Sequence, residues 1–518
     1  MVAERIRANG RNVYGAPEKR QFMRTCTYLI VALFAVACSK KSEDQAAPQP
    51  APKTVSADSA KKTPVVAAGA KVVTTTTKSP EAGTAFEQAR TLVFGSRGTE
   101  AVETLNKAIS LDPEFAMAHA YLGQVVPGAT GMAEFDKAVT LAAKLPDPER
   151  MTIEAMRSMR AGERDKAIAS YQKVIELAPD DWHAMVALGT DANFNGDYAA
   201  AIKYFDQAAK AKPDLAIAQN GIAYGNAGLR QWEPAIAAAK KQAELLPKEP
   251  NPADTLGEIL MVAGKFDESE KAFQQALALE PKFDISWQGV AFTRAYRGDW
   301  KGALEANAKQ LAAVSTANDR VGAEIDGAWL ALASGKPADA LAQLDAIEKD
   351  PEAAKTPAFA FAPLDRAYIL QLSGKVPDSA KALADALTRA DALPGGGKRN
   401  ALRRHAIGSL RLAALTGKAS PDADKLVAVT EDGATTPVAK SFVNWAHGLA
   451  AWAKTGPKDA VAELAKCDRL LTGCQFDLAA AQRKAGDTAG AEATEKALRE
   501  TTTRDPINVY AVSQLPKK

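Results

Sequence analysis

Few side chains in this sequence have the types and spacing needed for catalysis. The four histidines are His119, His183, His405 and His447, and their spacing places no two of them as metal ligands on one helix face. No Gly-x-Ser-x-Gly nucleophile motif occurs. The stretch 395–398 (Gly-Gly-Gly-Lys) resembles a phosphate loop but lacks the Ser or Thr that would follow the lysine. The sequence therefore predicts no enzyme, no cofactor and no metal site.

Two of the four cysteines could react with each other. Cys467 and Cys474 have six residues between them, and each lies in or next to a run with helical periodicity. In an oxidising compartment they could form a disulfide, and closing so short a loop would stabilise the fold by about 2.5 kcal/mol. Two buried free thiols are the alternative. No histidine or second cysteine pair lies close enough in sequence to suggest zinc.

The charge distribution excludes one class of partner. The net charge of the chain is +3, but residues 81–518 hold 52 basic and 57 acidic residues, a net charge of −5. The net positive charge of the chain comes from residues 1–80, which hold 13 basic and 5 acidic residues. A mildly acidic body has no basic surface for phosphate backbones, so we expect no nucleic acid partner.

Regularly spaced prolines define the elements that must position these side chains. Intervals of 33, 33, 34, 34 and 34 residues separate Pro113, Pro146, Pro179, Pro213, Pro247 and Pro281. Proline ends a helix because it lacks an N–H and clashes with the preceding turn. A period near 34 residues indicates stacked helix–turn–helix units, each of which touches only its neighbours.

Small and large residues alternate in register within these blocks. Each block is numbered so that its proline is position 32. Small residues then recur at position 8 as Ala89, Gly189, Ala223, Gly257 and Ala291, and aromatic rings recur at position 24 as Tyr171, Phe205 and Phe273. The small residues allow two helices to approach closely, and the rings fill the space beside them. Gly162, Gly196, Gly264 and Gly298 suit the left-handed turn that closes a helix. Asp197 and Asp299 follow two of these glycines, where an aspartate can cap the next helix.

The stretch 182–281 resembles the tetratricopeptide repeat family. The resemblance rests on Leu188-Gly189, Gly196-Asp197-Tyr198, Ala201, Phe205, Ala208 and Pro213, and it recurs in Leu256-Gly257, Gly264-Lys265-Phe266, Phe273, Ala276 and Pro281. It implies an all-α fold, a right-handed α-solenoid of helix–turn–helix repeats. We expect about seven such repeats over residues 81–315.

The C-terminal half also has glycines at turn-like sites between helical runs, but it lacks the strict period of these repeats. Glycines at turn-like sites, Gly335, Gly374, Gly417, Gly456 and Gly486, lie 39, 43, 39 and 30 residues apart. This pattern predicts degenerate helical repeats over residues 316–518. A separate all-α domain is the alternative, with a seam near residues 315–321 or 393–398.

The N-terminus has the features of an export signal. Basic residues precede an eleven-residue apolar run, residues 27–37, which is too short to span a bilayer and typical of a signal peptide. We therefore expect residues 1–37 to be removed, with Met23 as a possible true start. The sequence Ala35-Val36-Ala37-Cys38 resembles a bacterial lipoprotein box, which implies lipid attachment to Cys38. A secreted soluble protein and an uncleaved anchor are the alternatives.

Residues 38–80 have the composition of a tether. Lys, Ala, Pro, Ser and Thr dominate, and no aromatic residue occurs. Such a segment buries too little apolar surface to offset the entropy of ordering. We therefore expect a disordered, lipid-anchored linker over residues 38–80.

The family resemblance also implies a binding surface. In tetratricopeptide proteins the first helix of each unit lines a concave groove, whose residues here would be His183, Asn193, Asn220, Tyr224, Asp254, Glu258, Gln288, Phe292 and Tyr296. Amides can bond a peptide backbone, and rings can anchor apolar side chains. Asp254 with Glu258 would favour a basic segment. An ordinary solvated position is the alternative for each single residue.

Together these features predict a non-catalytic protein–protein interaction scaffold or adaptor. It would bind a protein or peptide in the groove and contact the membrane only through its lipid anchor. The expected location is the cell envelope, as an outer membrane lipoprotein that faces the periplasm or the cell surface. One alternative is a glycan- or nutrient-binding surface lipoprotein. The other is an enzyme whose site is assembled in the C-terminal half from His405, His447 and Glu463.

Overall fold

A computed structural model describes residues 71–94, 98–393 and 395–515 of the chain. These residues form an all-α solenoid of 25 α-helices with a few 3₁₀ turns, and no β-strand occurs among them. The predicted signal peptide, Cys38 and residues 39–70 of the predicted linker lie outside the described residues. No helix in the described part of the chain has both the length and the apolar character needed to cross a bilayer.

The first compact unit is the N-terminal unit, residues 71–188. Its helices form antiparallel pairs in chain order, and the seventh helix continues into the second unit. They are α1 (Pro80–Phe94), α2 (Gly98–Leu111), α3 (Ala116–Val125), α4 (Gly128–Ala142), α5 (Asp147–Ala161), α6 (Arg164–Leu177) and α7 (Trp182–Phe194).

The second compact unit is the C-terminal unit, residues 189–515. Its first nine helices after α7 are α8 (Tyr198–Ala211), α9 (Ala216–Gly228), α10 (Trp232–Leu245), α11 (Pro250–Val262), α12 (Phe266–Leu279), α13 (Asp284–Tyr296), α14 (Trp300–Ala313), α15 (Ala317–Ala333) and α16 (Pro337–Lys349). The remaining nine are α17 (Ala362–Leu372), α18 (Ser379–Ala390), α19 (Gly395–Thr416), α20 (Ala423–Glu431), α21 (Pro437–Thr455), α22 (Pro457–Leu464), α23 (Thr472–Lys484), α24 (Thr488–Arg499) and α25 (Pro506–Ser513).

Phenylalanine rings lie against glycines where successive helix pairs stack. A Cβ atom built on Gly189 would stand 2.9 Å from the ring of Phe205, and one built on Gly221 would stand 2.2 Å from the same ring. Phe273 lies in the same way against Gly257 and Gly289, at 2.6 and 2.4 Å. These contacts confirm the predicted pairing of small residues with rings. They also show that the ring touches the following repeat, because Gly221 and Gly289 belong to the next helix pair.

The turns inside the helix pairs contain the predicted left-handed glycines and aspartate caps. Gly196 has φ 81° and Gly298 has φ 80°, a left-handed conformation that glycine adopts without steric cost. The side chain of Asp197 accepts a hydrogen bond from the Ala200 N–H at 3.1 Å, so the predicted cap is confirmed. Gly335, Gly374, Gly417 and Gly486 in the C-terminal half also have positive φ.

The hydrophobic core of the C-terminal unit is continuous across the region where the strict period is lost. One cluster of buried residues extends from Ala253 on α11 to Tyr510 on α25. Within it Trp329 of α15 is buried, and its indole N–H donates to Asp365 at 3.0 Å. Along the chain, the division between the compact units falls between Leu188 and Gly189, whereas the change of repeat type was predicted near residue 315.

Residues 71–79, which we call the strap, differ from the predicted disordered linker. They are non-helical and contact the helices of the N-terminal unit and the turns between them. The Thr76 N–H donates to Glu149 Oε1 at 2.8 Å, and the Val73 N–H donates to Asp181 Oδ2 at 3.1 Å. The prediction of disorder up to residue 80 is therefore wrong for the strap, because specific hydrogen bonds offset the entropy lost on ordering.

Cys467 and Cys474 form a disulfide in the structure, with their Cα atoms 6.5 Å apart. Helix α22 ends at Leu464, before Cys467, and Cys474 lies in the first turn of α23. Both side chains are buried. The bridge closes the turn between two helices that stack on each other, so it holds the first turn of α23 against the end of α22.

We expect Cys467 and Cys474 to resist thiol labelling in the exported protein. Alkylation should be done in denaturant without reductant, since burial alone would protect the cysteines of the folded chain. Neither cysteine should react before reduction, and both should react afterwards, as read by mass spectrometry. In the control variant Cys474→Ser, Cys467 should label without reduction. Full labelling of the unreduced wild-type chain would show two free thiols.

Candidate functional site

Eight of the nine predicted groove residues lie in the C-terminal unit, and three of them (Asp254, Glu258 and Tyr296) contact the chain's own C-terminal residues. Asp254 and Glu258, which we call the acidic pair, lie one turn apart on α11. Tyr224 lies on α9, and Tyr296 is the last residue of α13. The segment between α24 and α25, residues 500–505, contacts this surface.

Arg504 is the centre of that contact. Its Nη2 donates to both carboxylate oxygens of Asp254 at 3.0 Å, and its Nε lies 3.6 Å from Glu258 Oε2. The Tyr224 hydroxyl donates to Glu258 at 3.0 Å, and the guanidinium lies 4.8 Å from the centre of the Phe273 ring. Burial alone would lower the pKa of Arg504, but the acidic pair raises it above its usual value. The guanidinium therefore stays charged although it is buried.

The two residues before Arg504 are held by hydrogen bonds that involve main-chain atoms. The Thr502 hydroxyl donates to the Met261 carbonyl at 2.7 Å. The Tyr296 hydroxyl donates to the Thr503 carbonyl at 2.7 Å and accepts from the Thr503 N–H at 3.1 Å. First helices of the repeats therefore bind a short non-helical segment through the ion pairs of Arg504 with Asp254 and Glu258 and through several hydrogen bonds.

Helix α25 closes this face of the C-terminal unit. Val509 and Tyr510 are buried, and the Tyr510 ring makes edge contacts with Trp329 and Phe476 at centroid distances of 6.2 and 6.0 Å. Asp254, Gln288 and Phe292 are 2, 5 and 0% exposed. An open groove was predicted at these positions, whereas in the structure the chain's own C-terminal residues occupy the part of it beside the acidic pair.

Three of the predicted groove residues tie neighbouring repeats together. The Asn193 amide donates to the Gly221 carbonyl at 2.9 Å, and the Asn220 amide donates to the Thr255 hydroxyl at 3.1 Å. The Gln288 amide donates to Asp326 at 2.7 Å. Each bond runs from one first helix to the next, so these amides stabilise the stacking and are not free for a peptide backbone.

His183 belongs to the N-terminal unit and lies in a cluster of rings. Its imidazole is 5.6 Å from Tyr121, 5.9 Å from Phe94 and 6.0 Å from Tyr171, measured between ring centres. Burial lowers the pKa of His183 to about 4. The side chain is therefore neutral at pH 7 and acts as a core residue.

The side chains considered for catalysis have ordinary local partners. His447 Nε2 lies 3.3 Å from Glu431, His405 lies 3.4 Å from the Ser409 hydroxyl, and Lys466 donates to Glu463 at 2.6 Å. Among the described residues no group of three or more His, Cys, Asp or Glu side chains could hold a metal ion.

Comparison with known families places repeat units in both compact units. Two family models described as tetratricopeptide repeat match the chain, one over residues 154–216 and the other over residues 253–283. The first match covers α6, α7 and α8 with the turns between them, and the second covers α12 and most of α11.

Individual proteins match only parts of the chain. Protein FlbA of Caulobacter vibrioides is 26% identical over 214 residues, which cover 40% of this chain and 36% of that protein. A tetratricopeptide repeat protein from Parabacteroides merdae is 15% identical, with a TM-score of 0.38 and coverage of 50% of this chain and 98% of its own. MamA from Desulfovibrio magneticus is 19% identical, with a TM-score of 0.30 and coverage of 32 and 94%. The chain thus spans about a third of the length of its curated relative, protein FlbA.

We expect Arg504→Met to loosen the C-terminal segment. The substitution leaves the acidic pair buried without its cation, which typically costs about 3–5 kcal/mol, so the amides of α25 should exchange hydrogen faster by about two to four orders of magnitude. Hydrogen–deuterium exchange with mass spectrometry measures this directly. Arg469→Met is the matched control, since Arg469 is exposed. Unchanged protection of α25 in Arg504→Met would show that the ion pair does not hold the segment.

Proposed function

Because the chain is a tetratricopeptide repeat protein, we propose that it is a lipid-anchored, non-catalytic scaffold that holds a protein partner at the bacterial cell envelope. The observation that carries the proposal is the binding of residues 502–504 by α11 and α13. Arginine bound to paired carboxylates, with main-chain hydrogen bonds beside it, is a recurring mode of peptide recognition. The same surface suits a segment of a partner that presents an arginine in an irregular or extended conformation.

The resident segment leaves some of its polar atoms unsatisfied, which favours exchange with a partner. Among the described residues, Arg504 Nε and Nη1, the Thr503 hydroxyl and the Asn508 amide nitrogen are buried and make no hydrogen bond. A buried polar group without a partner costs about 1–3 kcal/mol. A partner segment whose own donors are all satisfied when it binds can therefore compete with a C-terminal segment that has the advantage of being covalently attached.

The anchor is the second part of the proposal and rests on the sequence around Cys38. Each buried methylene of an acyl chain contributes about 0.8 kcal/mol, and more than one chain makes anchoring stable. Residues 39–70 would then act as a tether with a typical reach of roughly 30 Å. We place the protein at the outer membrane, facing the periplasm or the cell surface. Because the net charge of residues 81–518 is −5, we expect no nucleic acid partner.

We expect the acidic pair to bind an arginine-containing peptide once the resident segment is loosened. The probe is a labelled synthetic copy of residues 500–515, and fluorescence anisotropy reports binding. The peptide should bind Arg504→Met protein at least tenfold more tightly than wild type, because the attached segment competes at millimolar effective concentration. Adding Asp254→Asn and Glu258→Gln should abolish this gain.

A matched peptide and a matched variant complete the experiment. A probe with methionine in place of the arginine should not bind, and Glu244→Gln on the exposed face of α10 should leave binding unchanged. Equal binding of both probes, or binding that survives loss of the acidic pair, would place peptide recognition elsewhere in the chain.

We expect Cys38→Ser to release the protein from membranes. Without the thiol no acyl chain can be attached, so the protein should move from the membrane pellet to the soluble fraction on cell fractionation. Cys26→Ser is the control, since Cys26 lies inside the predicted signal peptide and its loss should leave fractionation unchanged. A Cys38→Ser protein that stays in the pellet after a high-salt wash would contradict the lipid anchor but not the peptide site.

A further inference from the structure

The strap binds the N-terminal unit through a row of three buried carboxylates. The Val73 N–H donates to Asp181 Oδ2 at 3.1 Å, the Thr76 N–H to Glu149 Oε1 at 2.8 Å, and the Lys78 N–H to Asp112 Oδ2 at 2.8 Å. Two hydroxyls add to these bonds, since Thr76 donates to Glu149 and Thr77 donates to Asp112, both at 2.6 Å. We call Asp112, Glu149 and Asp181 the carboxylate row.

The repeat architecture itself produces the carboxylate row. Asp181 immediately precedes α7 and accepts the Ala184 N–H at 2.8 Å with one oxygen, which leaves the other oxygen for the strap. Glu149 lies in the first turn of α5, and Asp112 lies directly after α2 and four residues before α3. Glu149 and Asp181 thus stand at the N-terminal ends of first helices, where the helix dipole favours negative charge, and Asp112 stands in the turn between α2 and α3. The strap contacts the three carboxylates in the reverse of their chain order.

The strap contributes mainly main-chain groups and threonine hydroxyls to this contact. Its own side chains are mostly exposed or half-buried, whereas Asp112, Glu149 and Asp181 are 4, 1 and 3% exposed. A lysine lies near each end of the strap: Lys71 is 3.8 Å from Asp180, and Lys78 pairs with Glu114. A surface that binds main-chain amides, hydroxyls and positive charge near the ends of a segment accepts many sequences. Because few side chains of the strap are buried, the strap can dissociate.

We propose that the carboxylate row is a binding site for extended polypeptide and that the strap is its resident ligand. The partner it fits is an extended segment with free main-chain N–H groups, a threonine or serine opposite Glu149 and lysines at its ends. Such a segment reaches the row only by displacing the strap. The site uses the ends of helices in the N-terminal unit, so it does not depend on the acidic pair or on the lipid anchor.

A pair of proline substitutions tests whether the carboxylate row binds an extended segment that is supplied in trans. Thr76→Pro removes the amide and the hydroxyl that bind Glu149, while proline suits an extended chain. Thr74→Pro is the matched control, because Thr74 is exposed and its amide makes no hydrogen bond with described residues. The probe is an acetylated, amidated and labelled peptide with the sequence of residues 71–79, measured by anisotropy on the full chain.

The peptide should bind Thr76→Pro protein at least tenfold more tightly than wild type or Thr74→Pro, and Glu149→Gln in the Thr76→Pro chain should weaken that binding at least tenfold. Trypsin reports the state of the strap, since cleavage after Lys78, relative to cleavage after Lys62, should accelerate only in Thr76→Pro. An unchanged helical circular dichroism signal shows that the helices persist. A released strap without peptide binding, equal binding to all three chains, or a strap that stays protected in Thr76→Pro would each overturn the proposal.

Discussion

The contact between a phenylalanine ring and two glycines sets the spacing on which the regular part of the array depends. The ring of Phe205 lies against Gly189 of its own helix pair and Gly221 of the next, and Phe273 repeats the arrangement with Gly257 and Gly289. A methyl group at any of these glycines would stand 2.2–2.9 Å from a ring, which close-packed interiors do not tolerate without shifting. Because one ring touches two successive pairs, the same contact fixes both the packing inside a repeat and the stacking between repeats.

Stacking at this spacing brings acidic residues into buried positions, and the chain satisfies them with segments outside the repeats. Arg504 neutralises Asp254 and Glu258, while the strap supplies N–H and hydroxyl donors to Glu149 and Asp112. Burial raises the pKa of Glu149 even though the Thr76 bonds lower it, and the net shift is upward. These carboxylates add little net stability once desolvation is counted. Their contribution is specificity, because only a segment with matching donors or positive charge can cover them.

The local pattern of the sequence was enough to predict the fold but not the contents of the groove. Helix pairs, glycine turns and the Asp197 cap follow from proline spacing and side-chain size, which are properties of neighbouring residues. The acidic pair's preference for a basic segment was also readable from the side chains. The identity of that segment was not, since Arg504 lies 250 positions from Asp254 along the chain and in no repeat frame. Composition likewise suggested a disordered strap, because the threonines that bind the carboxylate row look like any low-complexity run.

A filled groove changes what partner binding means for this protein. In an open array a partner gains the whole binding energy, whereas here it gains only the difference between its own contacts and those of the resident segment. The attached C-terminus is present at high effective concentration, so a weak basic peptide stays excluded and only a segment with better-satisfied donors enters. The buried and unbonded Nε and Nη1 of Arg504 show where such a segment would improve on the resident one. Self-occupancy therefore sets a threshold on the affinity that a partner segment must exceed before it can bind.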